Sequence, residues 1–124
     1  MISIQVGSVT DISLNVRGMR LLIERHWPIY AQKNALNVDV WLKEIAPSPG
    51  LNSWFDRSSG QWESFRDRYF RELDTKPREL DKLFQLVRAG PVSLMCQAGG
   101  EPHSVVNALR EFIRLRLPEI DDVK

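Results

Sequence analysis

The stretch from Arg20 to Phe55 limits most sharply what this chain can fold into. Met19, Leu21, Leu22 and Ile23 make a nearly continuous apolar run, which suits a strand buried on both faces, as in a parallel sheet. Trp27-Pro28 ends the run, because proline has no backbone donor for a ladder. Val38, Trp41, Leu42 and Ile45 then fall on one face of a helix that Asn37 can cap and Pro47 stops. Ser48-Pro49 reads as an N-cap followed by proline at the first helical position, with Leu51, Trp54 and Phe55 facing one side of the new helix.

The remaining segments fit the same layout. Ile2, Ile4 and Val6 alternate with polar neighbours and predict a first strand. Gly7 to Gly18 suits either a short edge strand or an extended loop. After the polar turn from Asp56 to Gly60, Trp62, Phe65, Tyr69 and Leu73 form a helical stripe, with Glu63, Arg66, Asp67, Arg71 and Glu72 opposite. Thr75 and Pro77 open a further helix with Leu80, Leu83, Phe84 and Val87 inward, closed by Gly90-Pro91. In the last strand, Val92, Leu94 and Cys96 point one way, Ser93 and Met95 the other. A final helix sets Val105, Val106, Leu109, Phe112 and Ile113 on one face until Pro118, and Glu119 to Lys124 reads as a frayed acidic end. Helices separate the two best strands. The expected fold is therefore one α/β domain spanning residues 1–124, a small, mainly parallel sheet of about three or four strands flanked by helices.

Composition narrows the function classes. The 124 residues carry a formal charge of +1, which gives no electrostatic case for nucleic acid, and no basic recognition helix stands out. No apolar run approaches the roughly 20 residues that span a bilayer. The one cysteine, Cys96, cannot form an internal disulfide, and no signal peptide is evident, so a cytoplasmic location is expected. Two histidines, a distant cysteine and no clustered acids argue against a metal site, and no cofactor motif is found. A homodimer through an exposed Trp62 or Tyr30 is a fair expectation.

In open α/β sheets, ligands gather outside the carboxyl ends of the strands. If the second and last strands run parallel, Glu24, Arg25, His26 and Trp27 meet Cys96, the Gly99-Gly100 loop and His103 there. A glycine loop entering a helix presents unpaired N–H groups that favour an anion, and Arg25 adds a guanidinium. Each residue also has a plainer role. Cys96 at an inward strand position suits a buried structural thiol, against a nucleophile assisted by the helix start and His103. Arg25 suits an ion pair with Glu24 or Glu44 as well as it suits a ligand. Trp27, Trp41, Trp54 and Trp62 read as core, and Arg66, Arg68 and Arg71, interleaved with acids, as a solvated face. Cys-dependent phosphatases place an arginine six positions after the cysteine; here that position is Pro102.

Several strings together resemble the YeaO-like branch of the domain-of-unknown-function 488 family. They are Arg20-Leu21-Leu22-Ile23-Glu24-Arg25-His26-Trp27-Pro28, Trp41 to Ser48, Trp54-Phe55, Phe65 to Tyr69, Glu72-Leu73 and Val92 to His103. The resemblance covers roughly Arg20 to Ile113 and implies an α/β fold. It places Lys33 where the family often has a lysine. Its departures fall at polar positions: Ile29-Tyr30 stands for the expected Arg-Gly, Glu24 for Asp, Asn52 for Arg and Ser104 for Asn. That pattern implies a relative that kept the scaffold and lost or changed its ligand. The expected function is a non-catalytic module binding a small anion or a protein through Arg25, His26, Lys33, Gly99, Gly100, His103 and Ser104. The alternative is an enzyme with Cys96 as nucleophile, His103 as base and Arg25 as anion holder.

Overall fold

The computed structural model describes residues 3–8, 18–26, 38–55, 60–97 and 101–117. The chain order is β1 (Ile4–Ser8), β2 (Met19–Leu22), β3 (Val40–Trp41), a 3-10 turn (Lys43–Ile45), α1 (Pro49–Trp54), α2 (Trp62–Asp74), α3 (Pro77–Ala89), β4 (Val92–Cys96) and α4 (Val105–Arg116). The strands form one parallel sheet in the order β1-β4-β2-β3, the α/β domain expected. No helix among the described residues is long and apolar enough to cross a membrane.

Strand parity sorts the core. Ile4, Leu21, Ile23, Val92, Leu94 and Cys96 join the helices in one large apolar cluster. Leu22 and Met95, with Val38 against them, make a small second cluster. β2 and β4 lie inside the sheet, which is why their apolar runs are continuous: Leu21, Leu22 and all of β4 are buried. Phe65, Tyr69 and Leu73 from α2, Leu83 and Val87 from α3, and Leu109 and Phe112 from α4 complete the main cluster at the expected helical spacing.

Gly18 introduces β2 at φ 69°, and a Cβ there would sit 2.0 Å from the Pro91 carbonyl oxygen. The position needs glycine both for its left-handed backbone and for this close approach. The adjacent Met19 N–H donates to the same oxygen at 3.1 Å, which sets the start of β2 against β4.

Two expectations are corrected. Val38 to Ile45 is not a helix but β3 followed by the 3-10 turn. Pairing with β2 decides it: Asp39 N–H donates to the Arg20 carbonyl at 2.9 Å, Leu42 N–H to that of Leu22 at 2.9 Å, and Arg20 N–H to Asp39 Oδ2 at 2.8 Å. Leu42 and Ile45 are buried as the spacing requires, but Trp41, expected in the core, is 38% exposed. Thr75 does not open α3. It closes α2, donating from Oγ1 to the Glu72 carbonyl at 2.6 Å, and Lys76 precedes Pro77 at the start of α3.

Candidate functional site

β2 and β4 are neighbours and run the same way, with Leu22 opposite Met95, so their carboxyl ends share one rim of the sheet. Two hydrogen bonds tie the ends together. Ile23 N–H donates to the Met95 carbonyl at 2.8 Å, and Gln97 N–H donates to Glu24 Oε2 at 2.6 Å. A cleft of about 250 Å³ opens there, lined among others by Glu24, Arg25, Asn52, Cys96, Gln97 and Val105. This is the place where the strand order of an open α/β sheet puts ligands.

Arg25 is built into the wall of this cleft. Its Nε donates to the Pro47 carbonyl at 3.1 Å and its Nη2 to the Ala46 carbonyl at 3.1 Å. Its Nη1 meets Glu44 Oε1 at 3.2 Å. The side chain is 19% exposed, so the fork is held by main chain as well as by charge.

The two carbonyls that Arg25 holds belong to a longer series. The Glu44 carbonyl accepts from Lys76 Nζ at 2.6 Å, and the Ile45 carbonyl accepts from the Tyr69 hydroxyl at 2.7 Å. Four consecutive carbonyls, 44 to 47, are thus each taken by a side chain from outside the segment. Ser48 continues the pattern with its donors: its N–H donates to Glu72 Oε1 at 3.0 Å and its hydroxyl to Glu72 Oε2. Ser48 Oγ also accepts from Leu51 N–H at 3.2 Å, the N-cap of α1 foreseen from Ser48-Pro49. Among the described residues no strand pairs with this segment, so its polar groups need these partners.

This clamp perturbs two of its members. Burial pushes the Tyr69 hydroxyl well above the usual tyrosine range; Cys96 and Glu72 add to the effect and Arg25 opposes it. Lys76 is lowered by partial burial and by the Arg25 charge, with Glu72, Glu44 and Glu79 pulling it back.

The other predicted residues divide between cleft and scaffold. Cys96 lines the cleft, yet it is buried on the same face of β4 as Val92 and Leu94. His103 is exposed, and its ring stacks on Trp62 with centroids 4.7 Å apart and planes 7° apart. Neither ring lines the cleft. Ser104 is buried and caps α4, its Oγ accepting from Asn107 N–H at 3.3 Å. His26 is exposed. Lys33, Gly99, Gly100, Trp27 and Tyr30 lie outside the described residues. The structure therefore brings Arg25 and Cys96 to one cleft, sets Ser104 beside it through Val105, and seats His103 on α2.

Glu24, placed in the strand-end cluster by the sequence, does line the cleft, whereas Asn52, Tyr69, Glu72 and Lys76 escaped the sequence reading as site residues. Helical period assigned Glu72 to the outer face and Tyr69 to the core stripe; only tertiary packing shows that Tyr69 addresses the end of the 3-10 turn and Glu72 the segment after it. Among the described residues, no group of three or more His, Cys, Asp or Glu side chains is placed to hold a metal ion.

Comparison with known proteins agrees with this picture of an intact scaffold. The family described as "Inactive DUF488-N3 subclade" matches residues 3–124. The uncharacterized protein YeaO of Escherichia coli (strain K12) is 30% identical over 112 residues, covering 90% of this chain and 97% of that protein. The uncharacterized protein Rv3073c of Mycobacterium tuberculosis is 36% identical over 56 residues, 45% of this chain and 48% of that one. No solved structure matches. The chain is a YeaO-like member of the DUF488 family, in the branch described as its inactive N3 subclade.

Proposed function

We propose that this domain is a non-catalytic binding module, and that the cleft at the carboxyl ends of β2 and β4 receives a small anion. One observation carries the reading: His103 and Arg25 each hold a partner other than the Cys96 thiol. His103 lies flat on Trp62, and Arg25 is forked onto the carbonyls of Ala46 and Pro47. General base catalysis needs the base within hydrogen-bond reach of the proton it removes. The subclade's description as inactive supports the same conclusion. For the ligand, support comes from α4, whose first residue, Val105, lines the cleft and whose opening turn presents N–H groups and a positive dipole end.

Titration of the protein with inorganic phosphate, followed by amide resonances, tests the reading. A saturable shift at Gln97, Val105 and Val106 is expected. Shifts scattered over surface lysines and arginines, or none, would refute an anion at this cleft.

The rival reading is a thiol enzyme using Cys96, His103 and Arg25. It draws on the fact that Cys96 ends a strand and lines the cleft. It requires His103 to leave Trp62, and the reactivity of the thiol separates the two readings.

A further inference from the structure

A second concavity lies on the β3 side of the domain, between β3 with its 3-10 turn and the start of α3. It measures about 360 Å³, within the size range of small-molecule sites. It shares no lining residue with the cleft at the strand ends. We propose that this groove binds a flat aromatic anion, its ring against Trp41 and its acid group among Lys43, Arg78 and Lys82.

Trp41 supplies the first argument. It lines the groove and is 38% exposed, yet it is not a loose surface side chain. Its backbone is in the β2–β3 ladder, and its indole Nε1–H donates to the Glu24 carbonyl at 2.6 Å. An indole fixed at its polar tip offers a stacking surface whose ordering cost has already been met in the unliganded protein. Beneath it, Leu42 and Ile45 are buried and give the groove an apolar floor.

Charge supplies the second. Lys43, Arg78 and Lys82 line the groove together with Glu44 and Glu79. The Glu44 carboxylate is also engaged by Arg25 at 3.2 Å, so the lining, with three cations against two acids, is positive on balance. Arg78 also sits in the first turn of α3, a 13-residue helix, where the dipole adds to the attraction for an anion. The Lys43 ammonium lies over the Trp41 ring, 5.6 Å from its centroid, so a ligand ring that stacks on the indole displaces this cation outward and meets it with its acid group. The volume suits a single ring system with one acid group, such as a nucleoside monophosphate or an aromatic carboxylate, and is too small for a dinucleotide.

The backbone amides of Arg78, Glu79 and Lys82, read with the Trp41 indole N–H assigned by Trp41→Phe, report on the groove. Adenosine monophosphate and 4-hydroxybenzoate are titrated separately, with adenosine and inorganic phosphate as controls. The expected result is a saturable shift with at least one of the two aromatic anions, and binding weaker by about tenfold or more for both controls. Which of the two binds identifies the source of the acid group. The surface variant Arg78→Glu/Lys82→Glu should keep its melting temperature and lose about tenfold in affinity. No saturable shift up to about 10 mM of either aromatic anion would overturn the proposal. So would an equal response to phosphate alone, or unchanged binding in the charge-reversed variant. Shifts at Gln97 and Val105 belong to the strand-end cleft, so failure there and failure here are read from different resonances.

Discussion

The Tyr69 hydroxyl on α2 donates to the carbonyl of Ile45 at 2.7 Å, deep in the core and one residue before the two carbonyls that Arg25 holds. This bond joins the main helix to the segment that walls the strand-end cleft. It makes the polar residues around Cys96 parts of a brace.

Tyr69→Phe keeps the ring packing and removes the hydroxyl that donates to the Ile45 carbonyl from α2. The carbonyl is then buried without that partner, and stability should fall by about 1–3 kcal/mol in urea denaturation. The denaturant slope should stay unchanged, since the folded surface does.

The same hydroxyl sets an alkaline limit. Its folded-state pKa is raised above the unfolded value, so its contribution is fully present below pH 10. Above pH 10 the unfolded chain releases the proton first, and stability falls by up to about 1.4 kcal/mol per pH unit until the folded hydroxyl also ionises. Lys76 has the opposite sign, since its pKa is lowered and stability rises with pH as the unfolded lysine stays protonated longer. Its partial exposure makes that opposing effect the smaller one. Denaturation from pH 9 to 11.5 should show the wild type losing stability relative to Tyr69→Phe.

Arg25→Lys tests geometry against charge. A single ammonium cannot reproduce a fork that reaches Ala46, Pro47 and Glu44 together. Arg25→Lys should therefore destabilise by more than half as much as Arg25→Leu, for which the loss is roughly 2–3 kcal/mol from charged hydrogen bonds to main chain. A lysine variant as stable as the wild type would mean that the carbonyl contacts contribute little.

Gly18→Ala should cost about 1–3 kcal/mol or more, because it combines a left-handed backbone with a clash at the Pro91 carbonyl. Gly60, also at positive φ but with open space around it, should lose less on the same change. Thermal unfolding of the two variants separates crowding from backbone preference.

Much of the scaffold was legible in the sequence because local chemistry and tertiary packing agree there. Ser48-Pro49 caps and starts α1, the stripe from Phe65 to Leu73 is buried, and Val92, Leu94 and Cys96 share a face. The location of the cleft was legible too, since it needs only parallel neighbours. β3 was not: Val38, Trp41, Leu42 and Ile45 satisfy a helical period, while pairing with β2 is a long-range fact that no local spacing records. The Arg25–Glu44 pair was among those expected, but Arg25's hold on main chain and the roles of Glu72 and His103 were hidden for a related reason. Their partners, Pro47, Ser48 and Trp62, lie 22, 24 and 41 positions away, and a single sequence does not say which of several candidate partners a charged or aromatic side chain will meet.

The central claim is that Cys96 is a buried, unactivated thiol beside a structural arginine, and its alkylation rate in the folded protein tests this most directly. Iodoacetamide at pH 6 to 8 should modify Cys96 slowly, in step with unfolding, and His103→Asn should leave the rate unchanged. Rapid modification at pH 6 that His103→Asn abolishes would contradict the account and place a working nucleophile at the end of β4.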